Sequence, residues 1–365
     1  MQNSAREVWM PGSERKNSLF SARKFFVASL GREMGCFFCA EWVWRWSRGG
    51  GGGGIVFLLP NSCPNVQKVT LFFVFLHDFN PNTLLFMLLI ADCGSTKVDW
   101  RAIAADGTVK SVNTEGINPV FLSSEDISKI LEEKVVPAIG TDVKEIYFYG
   151  AGILAPELAK VLSDAFDKVF PGNKSFVASD LLAAARALCG HSAGIACIMG
   201  TGANTCFYDG EEIVNNVRAG GFILGDEASG GVLGKKLMAD FIKGLLPKEI
   251  EEEFVKRYDL DYMKIVQKVY REPLPSKWLA SFSPFISEFR DNPHINNLIR
   301  TSFDEFFKRN IVHYDYKNYP VNLVGSIAHY YEDILKDVAA QNGATIGKII
   351  KSPIDGLVEY HTNAI

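Results

Sequence analysis

One unit occurs twice in this chain, and it constrains the fold more than any other feature. The first copy is an apolar run at 87–91, the turn Asp92-Cys93-Gly94-Ser95-Thr96, a segment at 98–105, the pair Asp106-Gly107, and a segment at 109–113. The second copy is an apolar run at 194–199, the turn Gly200-Thr201-Gly202-Ala203-Asn204, a segment at 205–208, the pair Asp209-Gly210, and a segment at 212–217. Each run has strand length, and Asp-Gly between two such runs is a hairpin signal. The two glycine turns lie about 107 residues apart, at 94 and 201. A supersecondary unit repeated at that distance predicts two similar lobes with a cleft between them.

The segments around these copies complete an α/β pattern. Helices are predicted at 123–136, with a serine cap and the acids Glu125 and Asp126 in the first turn, at 156–170 and at 180–188. Strands are predicted at 145–149 and 174–178. After the second copy come helices at 230–244, 248–258, 261–270, 278–290 and 296–310, a strand at 320–324, and a helix to 340. A strand at 345–354 and a last helix at 354–360, packing back on the first lobe, end the pattern. The expected organisation is a first lobe at 87–193, a second lobe with a helical insertion at 194–344, and a returning segment at 345–365.

Residues 1–86 do not fit that pattern. They hold Trp9, Trp42, Trp44, Trp46 and six consecutive glycines at 49–54, with no persistent amphipathic period. The apolar run at 69–76 ends at His77 and Asp78, short of the roughly 20 residues that a membrane helix needs. A signal peptide's order of basic start, apolar run and small-residue cleavage site is missing too. The stretch is therefore expected to be an extension, non-native or disordered, with Met87 as the start of the working protein. No membrane partner is expected.

Charge and cysteines bound the function. Residues 1–86 carry nine Lys and Arg against five Asp and Glu, and the rest carries 29 against 37. An acidic working region excludes non-specific nucleic-acid binding, which needs a basic surface. Cys36 and Cys39 make one CxxC with no second pair for zinc. Cys93, Cys189, Cys197 and Cys206 are scattered in apolar or glycine-rich segments and read as reduced, buried thiols, which fits a cytoplasmic protein.

Several residues carry chemistry. Glycine and small hydroxyl residues after a strand let backbone amides and hydroxyls approach phosphate oxygens, so Gly94, Ser95, Thr96 and the neighbouring Lys97 form one candidate phosphate turn. Asp92 at the strand end can hold Mg²⁺ through water. Gly200, Thr201 and Gly202 form a second turn at the equivalent place, and the two would face each other across the cleft. Either turn alone also reads as an ordinary β-turn. Asp180 opens a helix behind Ser179: it reads as a first-turn acid, or as a general base for a sugar hydroxyl. The glycine-rich run 220–231, with the acid pair Asp226-Glu227, reads as a connector or as a sugar-contact loop. Gly325-Ser326-Ile327-Ala328 is a strand-to-helix turn against which a flat nucleoside can lie.

Together these residues resemble the actin-like ATPase superfamily, and within it the N-acetylglucosamine kinase group of the BadF/BadG/BcrA/BcrD ATPase family. The resemblance spans about 87–360. Asp92 to Thr96 and Gly200 to Asn204 resemble that family's two phosphate motifs, with Ala203 for a usual serine. Gly225-Asp226-Glu227 resembles its Gly-Asp-Glu-Gly-Ser, with Ala228 for the second glycine. Gly325, Ser326 and Ala328 resemble its adenosine motif. The resemblance implies two actin-like, ribonuclease H-like lobes around a nucleotide cleft, with ATP and Mg²⁺ as cofactors. It implies Asp180 as catalytic base and Asn118, Asn204 and Asp226 as sugar contacts. The implied reaction is transfer of phosphate from ATP to an amino sugar, N-acetylglucosamine foremost. Partners are then a small-molecule sugar and, compatibly, a second copy of the chain. Two rival readings remain: an ATPase that activates a reductase or dehydratase, and a non-catalytic sugar sensor.

Overall fold

The computed structural model describes residues 43–49, 52–58, 87–94, 97–153 and 155–362. The chain divides into two units, Met1–Leu84 and Leu85–Ile365. In the first, β1 (Val43–Gly49) and β2 (Gly52–Leu58) pair as an antiparallel hairpin across the glycine run. Cys36 and Cys39 lie outside the described residues.

The first sheet of the second unit holds β3 (Met87–Cys93), β4 (Lys97–Ile103), β5 (Val109–Glu115), β6 (Val143–Gly150) and β7 (Lys174–Ser179), in the order β5-β4-β3-β6-β7. Its second sheet holds β8 (Gly194–Met199), β9 (Ala203–Tyr208), β10 (Ile213–Asn215), β11 (Val321–Val324) and β12 (Ile346–Ile350), in the order β10-β9-β8-β11-β12. Both sheets have three antiparallel strands followed by two added in parallel. The repeat read from three strands thus extends to a fourth and a fifth. This is a mixed α/β fold of two lobes.

In the first lobe, α1 (Ser124–Ile130) is capped by Ser123, whose hydroxyl accepts from the Asp126 amide while Asp126 answers to the Ser123 amide. The helix continues through a π turn at Leu131–Val135 into α2 (Val136–Ile139). α3 (Pro156–Val169) joins β6 to β7. Side chains alternate across β3. Leu89, Ala91 and Cys93 pack with Ile127, Leu162 and Phe166 under α1 and α3. Ile90 packs on the opposite face. Asp92 shares its parity, so it too points to the opposite face.

That face is covered by α4 (Asp180–Cys189) and by α14 (Ile354–Thr362) at the end of the chain. Ala183 and Ala187 of α4 pack with Ile90, Tyr149, Ile354 and Leu357. Leu181, Ala184 and Ala185 pack with Ala196, Cys206 and Val324 of the second sheet. The alanines explain the arrangement: only a slim helix can be buried against both sheets at once. At Gly356 of α14 a Cβ would lie 2.7 Å from the Ala187 carbonyl oxygen, so the two helices touch there backbone to backbone.

The insertion between β10 and β11 is helical: α5 (Gly221–Leu224), α6 (Gly230–Ile242), α7 (Lys248–Arg257), α8 (Tyr262–Tyr270), α9 (Pro275–Ala280), α10 (Ser283–Glu288) and α11 (Pro293–Arg309). With α12 (Ser326–Tyr330) and α13 (Glu332–Gln341), it builds the largest core cluster, around Phe254, Phe285, Phe303 and Phe306. The helix expected at 278–290 is two helices, because Pro284 in the first turn of α10 has no amide to continue one. The helix expected from 296 starts earlier, at Pro293, where the Asn292 side chain accepts from the His294 amide. The strand expected at 212–217 shrinks to β10, where the register slips against β9.

Candidate active site

The first sheet brings three strand ends level. Cys93 of β3 pairs with Gly150 of β6, and Gly150 with Ser179 of β7. Asp180, next after Ser179, therefore leaves this edge two strands from Asp92, and adjacent strands are about 4.8 Å apart. Asp99 is the cross-strand partner of Asp92 and bonds Lys97 at 2.8 Å. Burial, then the charges of Asp99 and Asp180, push the Asp92 carboxyl up to about 7, against the pull of Lys97. Asp92, Asp99 and Asp180 are thus one electrostatic group. Gly94 closes the β3–β4 turn by donating its amide to the Lys97 carbonyl at 3.0 Å. Ser95 and Thr96 lie outside the described residues.

Asp180 sits at a helix N-terminus. The Ser179 hydroxyl caps that helix by accepting from the Leu182 amide at 3.3 Å. Burial pushes the Asp180 carboxyl up, while the amides of Leu181 and Asp180 itself pull it down. The net shift is upward. A carboxylate so placed is poised to accept a proton nearer neutral pH than an exposed aspartate.

The second sheet supplies a backbone cradle. In the β8–β9 turn, the Gly200 amide donates to the Gly202 carbonyl at 2.9 Å. The first amides of α6, Gly230 and Gly231, donate to the carbonyls of Gly200 and Thr201 at 2.8 and 3.0 Å. Gly325 abuts the same turn: its φ is +131°, and a Cβ there would lie 2.3 Å from the Met199 carbonyl oxygen. Ser326 and Ala328 follow in the first turn of α12. The turns at 200–202 and 325–328 are therefore neighbours.

Asp226 lies on this cradle. A Cβ on Gly202 would meet Asp226 Oδ2 at 3.0 Å. Burial pushes the Asp226 carboxyl up, opposed by the Ala203 amide. Asp226 and Ala228 both adopt left-handed backbone, φ 54° and 67°. Such residues cost about 1–3 kcal/mol each and persist where surrounding structure enforces them. Here the enforcement is visible: the Asp226 amide donates to the Ala219 carbonyl at 2.9 Å, and Ala228 is fully buried. Glu227, the other acid of the pair, is bound to Arg309 at 2.9 Å and to Asn310 at 3.1 Å, which ties the loop to α11.

α4 brings the two halves together. At its last residue, Cys189 Sγ would be 2.9 Å from a Cβ on Gly194, the first residue of β8. The helix thus runs back along β8, and its first turn lies at the end where Met199 leads into Gly200. Leu181 clusters with Val324 and Ile198 at that same end. Asp92, Asp99 and Asp180 from one lobe, and Gly200, Thr201, Gly202, Asp226 and Gly325 from the other, share one end of the layer between the sheets. Asp92, Asp180, Gly200 and Gly325 lie at or just past the carboxyl ends of β3, β7, β8 and β11, which pair in parallel, the usual ligand position in open α/β sheets.

The remaining candidates have structural partners. Asn118 Oδ1 accepts from the Val120 amide at 2.9 Å, an Asx turn. Its loop is anchored to β3, because the Cys93 thiol donates to the Ile117 carbonyl at 3.1 Å. Asn204 Oδ1 accepts from the Thr205 amide at 2.9 Å and from Asn216 Nδ2 at 3.0 Å. Sequence reasoning missed Asp99 and Lys235. Lys235 Nζ donates to the Phe222 carbonyl at 2.5 Å and so pins α5 beside Asp226. Asp99 was readable, since a two-strand hairpin must return an equivalent residue opposite Asp92. Lys235 had no local signal.

Among the described residues no group of three or more His, Cys, Asp or Glu side chains is arranged to hold a metal ion alone. Mg²⁺ does not need one: it keeps several waters and binds one or two carboxylates together with phosphate oxygens. The paired carboxylates of Asp92 and Asp99, with Lys97 bound to Asp99 alone, fit that role. A shallow hollow of about 390 Å³ lined by His329, Tyr330, Glu332, Asp333 and Lys336 holds none of the candidate residues. Among the described residues no helix is long and apolar enough to cross a membrane.

No family model and no curated protein matches the chain. Solved structures do. A protein from Porphyromonas gingivalis described as a putative N-acetylglucosamine kinase is 44% identical over 76% of this chain and 99% of its own, with a TM-score of 0.72. A protein from Chromobacterium violaceum with the same description is 18% identical over 76% of this chain and 99% of its own, with a TM-score of 0.61, a likeness of fold.

Proposed function

The chain belongs to the family of the Porphyromonas gingivalis protein, the actin-like sugar kinases, and from that premise we propose that it moves the γ-phosphoryl group of ATP to a hydroxyl of an amino sugar, N-acetylglucosamine foremost. The motifs around Asp92, Gly200 and Asp226 support a place among the N-acetylglucosamine kinases of the BadF/BadG/BcrA/BcrD type. The carrying observation is the junction of Asp92 and Asp180 with the Gly200–Gly202 and Gly325 turns at one end of α4.

The roles follow from that placement. The two glycine turns offer amides to phosphate oxygens, and the Gly325 turn gives the nucleoside a flat backbone surface. Asp92, with Asp99 beside it, would hold Mg²⁺, which neutralises charge building on the phosphates. Asp180 accepts the proton of the acceptor hydroxyl, by resemblance that at C6, as its oxygen bonds to the γ-phosphorus. The bond to the bridging oxygen breaks and ADP leaves. Asp226, Asn118 and Asn204 hold the sugar by hydrogen bonds to its hydroxyls. Phosphoryl transfer needs little covalent chemistry from the protein, so positioning and charge carry the rate.

The test is ADP release with ATP and Mg²⁺ against a panel of hexoses and amino sugars, with the products weighed by mass spectrometry. N-acetylglucosamine is expected to stimulate ADP release most and to gain one phosphoryl group. A panel in which no sugar raises ADP release above the sugar-free rate overturns the proposal.

A further inference from the structure

α4 carries the proposed base at its first residue, yet most of its packing cannot fix its position. Its start follows Ser179 in the β7 register, but its buried side chains are Leu181, Ala183, Ala184, Ala185, Ala187 and Leu188, mostly methyl groups that do not specify how the helix tilts or turns about that start. Directional contacts to other elements come late in the helix. Lys348 Nζ donates to the Ala187 carbonyl at 3.2 Å. The richer set belongs to Arg186, six residues and about 9 Å along the axis from Asp180.

Arg186 Nη1 donates to the Tyr149 hydroxyl at 2.7 Å, and that hydroxyl also bonds His361 Nε2 at 2.8 Å. The guanidinium lies 4.9 Å from the Phe176 ring centre and 5.0 Å from that of Tyr360. The His361 ring lies 3.8 Å from the ring centre of Tyr147. The bond from Arg186 has one possible direction. A guanidinium only donates, so the Tyr149 oxygen accepts from it. The same hydroxyl bonds His361 Nε2, with donor and acceptor set by the tautomer of the imidazole. Burial and the nearby charges of Arg186 and His191 keep that imidazole neutral, its pKa lowered to about 4. One hydroxyl, that of Tyr149, thus joins Arg186 of α4 to His361 of α14.

We propose that Arg186, Tyr149 and His361 form a clasp by which the C-terminal helix α14 sets the position of α4, and so of Asp180, in the kinase reaction. The three are positioning residues. α14 follows β12 of the second lobe, whereas Tyr149 belongs to β6 of the first. The clasp therefore ties the base's helix to both lobes, and Tyr149 is level with Asp92 in the sheet register.

This inference rests on the kinase reading for its catalytic part alone, and the experiment separates the two. Tyr149→Phe keeps the ring and removes both bonds; His361→Gln retains an acceptor for the Tyr149 hydroxyl. Amide hydrogen exchange over residues 180–186 needs no substrate. Tyr149→Phe is expected to speed exchange there about tenfold or more, with the sheet cores unchanged. Sugar-phosphate formation is expected to fall about 10- to 100-fold in kcat, with the KM for ATP unchanged and more ADP released per sugar phosphorylated. His361→Gln is expected to fall between Tyr149→Phe and the parent. Parent-like exchange and kcat in Tyr149→Phe, or exchange raised equally throughout the protein, would overturn the clasp. A parent that phosphorylates no sugar defeats the kinase reading and leaves the exchange result to decide the clasp.

Discussion

The two lobes share one strand order, and they part company after the fifth strand. β7 leads to α4, which opens Ser179-Asp180, with the acid half-buried in the layer between the sheets. β12 leads to α14, which opens Ile354-Asp355; there the isoleucine is buried, and the acid faces solvent with Arg101 at 3.7 Å. The turns after the first strands differ as well. The β3–β4 turn is flanked by the charged side chains Asp92, Lys97 and Asp99. The β8–β9 turn is braced by backbone: the amides of α6, the close approach of Gly325, and Asp226. One architecture built twice has been given charge in one half and a backbone cradle in the other. A phosphoryl-transfer site needs both.

The largest expected effect tests the first contrast. Asp180→Ala should lower phosphoryl transfer about 10²- to 10⁴-fold, the range for a lost general base, while ATP still binds. Asp355→Ala, at the matching place in the other lobe, should leave both rate and stability within about 0.5 kcal/mol of the parent, as expected for an exposed ion pair. Steady-state kinetics and nucleotide titration check both. Equal losses in the two variants would dissolve the contrast.

The second contrast predicts a difference in stability. Gly325→Ala sets a Cβ against the Met199 carbonyl on a left-handed backbone, and should destabilise by about 3 kcal/mol. Gly94→Ala meets only the Lys97 carbonyl oxygen, at an ordinary 3.7 Å, and should change stability by less than about 1 kcal/mol. Urea titrations of both variants measure the gap. If Gly94→Ala proved the worse of the two, the brace would have been put in the wrong lobe.

A smaller effect concerns charge. The folded protein binds the Asp92 proton more tightly than the unfolded chain, with a pKa near 7 against 3.8. Stability therefore falls as pH rises from about 4 to about 7, and the penalty is complete above that window. Without Mg²⁺, Asp92→Asn should melt above the parent at pH 8 and level with it at pH 4. Adding Mg²⁺ and ATP at pH 8 should raise the parent's melting temperature more than the variant's. Curves that coincide at both pH values would remove Asp92 from the acidic group.

Much of this was legible in the sequence, for identifiable reasons. The repeat is local: apolar runs, Asp-Gly pairs and glycine turns specify hairpins wherever they occur, so β3, β4, β5, β8 and β9 fall close to their expected positions and β10 alone shrinks. The helix start at Asp180 was legible because Ser179 and the alanine run mark it. The break between α9 and α10 was visible as Pro284 but lost in an apolar period that runs through it. What was not legible depends on tertiary contact. The division of labour in Asp226-Glu227 is one case: both acids look alike in sequence, and only Arg309 and Asn310 reveal Glu227 as a structural tie. Lys235 and the Arg186–Tyr149–His361 clasp join residues up to 212 positions apart and leave no local trace.

The central claim is that the strand ends of both lobes close on one nucleotide, with Asp180 at its transferable group. The most direct measurement is a crystal structure with Mg²⁺, a non-hydrolysable ATP analogue and N-acetylglucosamine. The account predicts phosphates between the turns at Gly94 and Gly200, adenosine against Gly325, and a sugar hydroxyl about 3 Å from the Asp180 carboxylate. A nucleotide bound away from these turns, or a sugar whose hydroxyls face Asp226 with Asp180 out of reach, would contradict it.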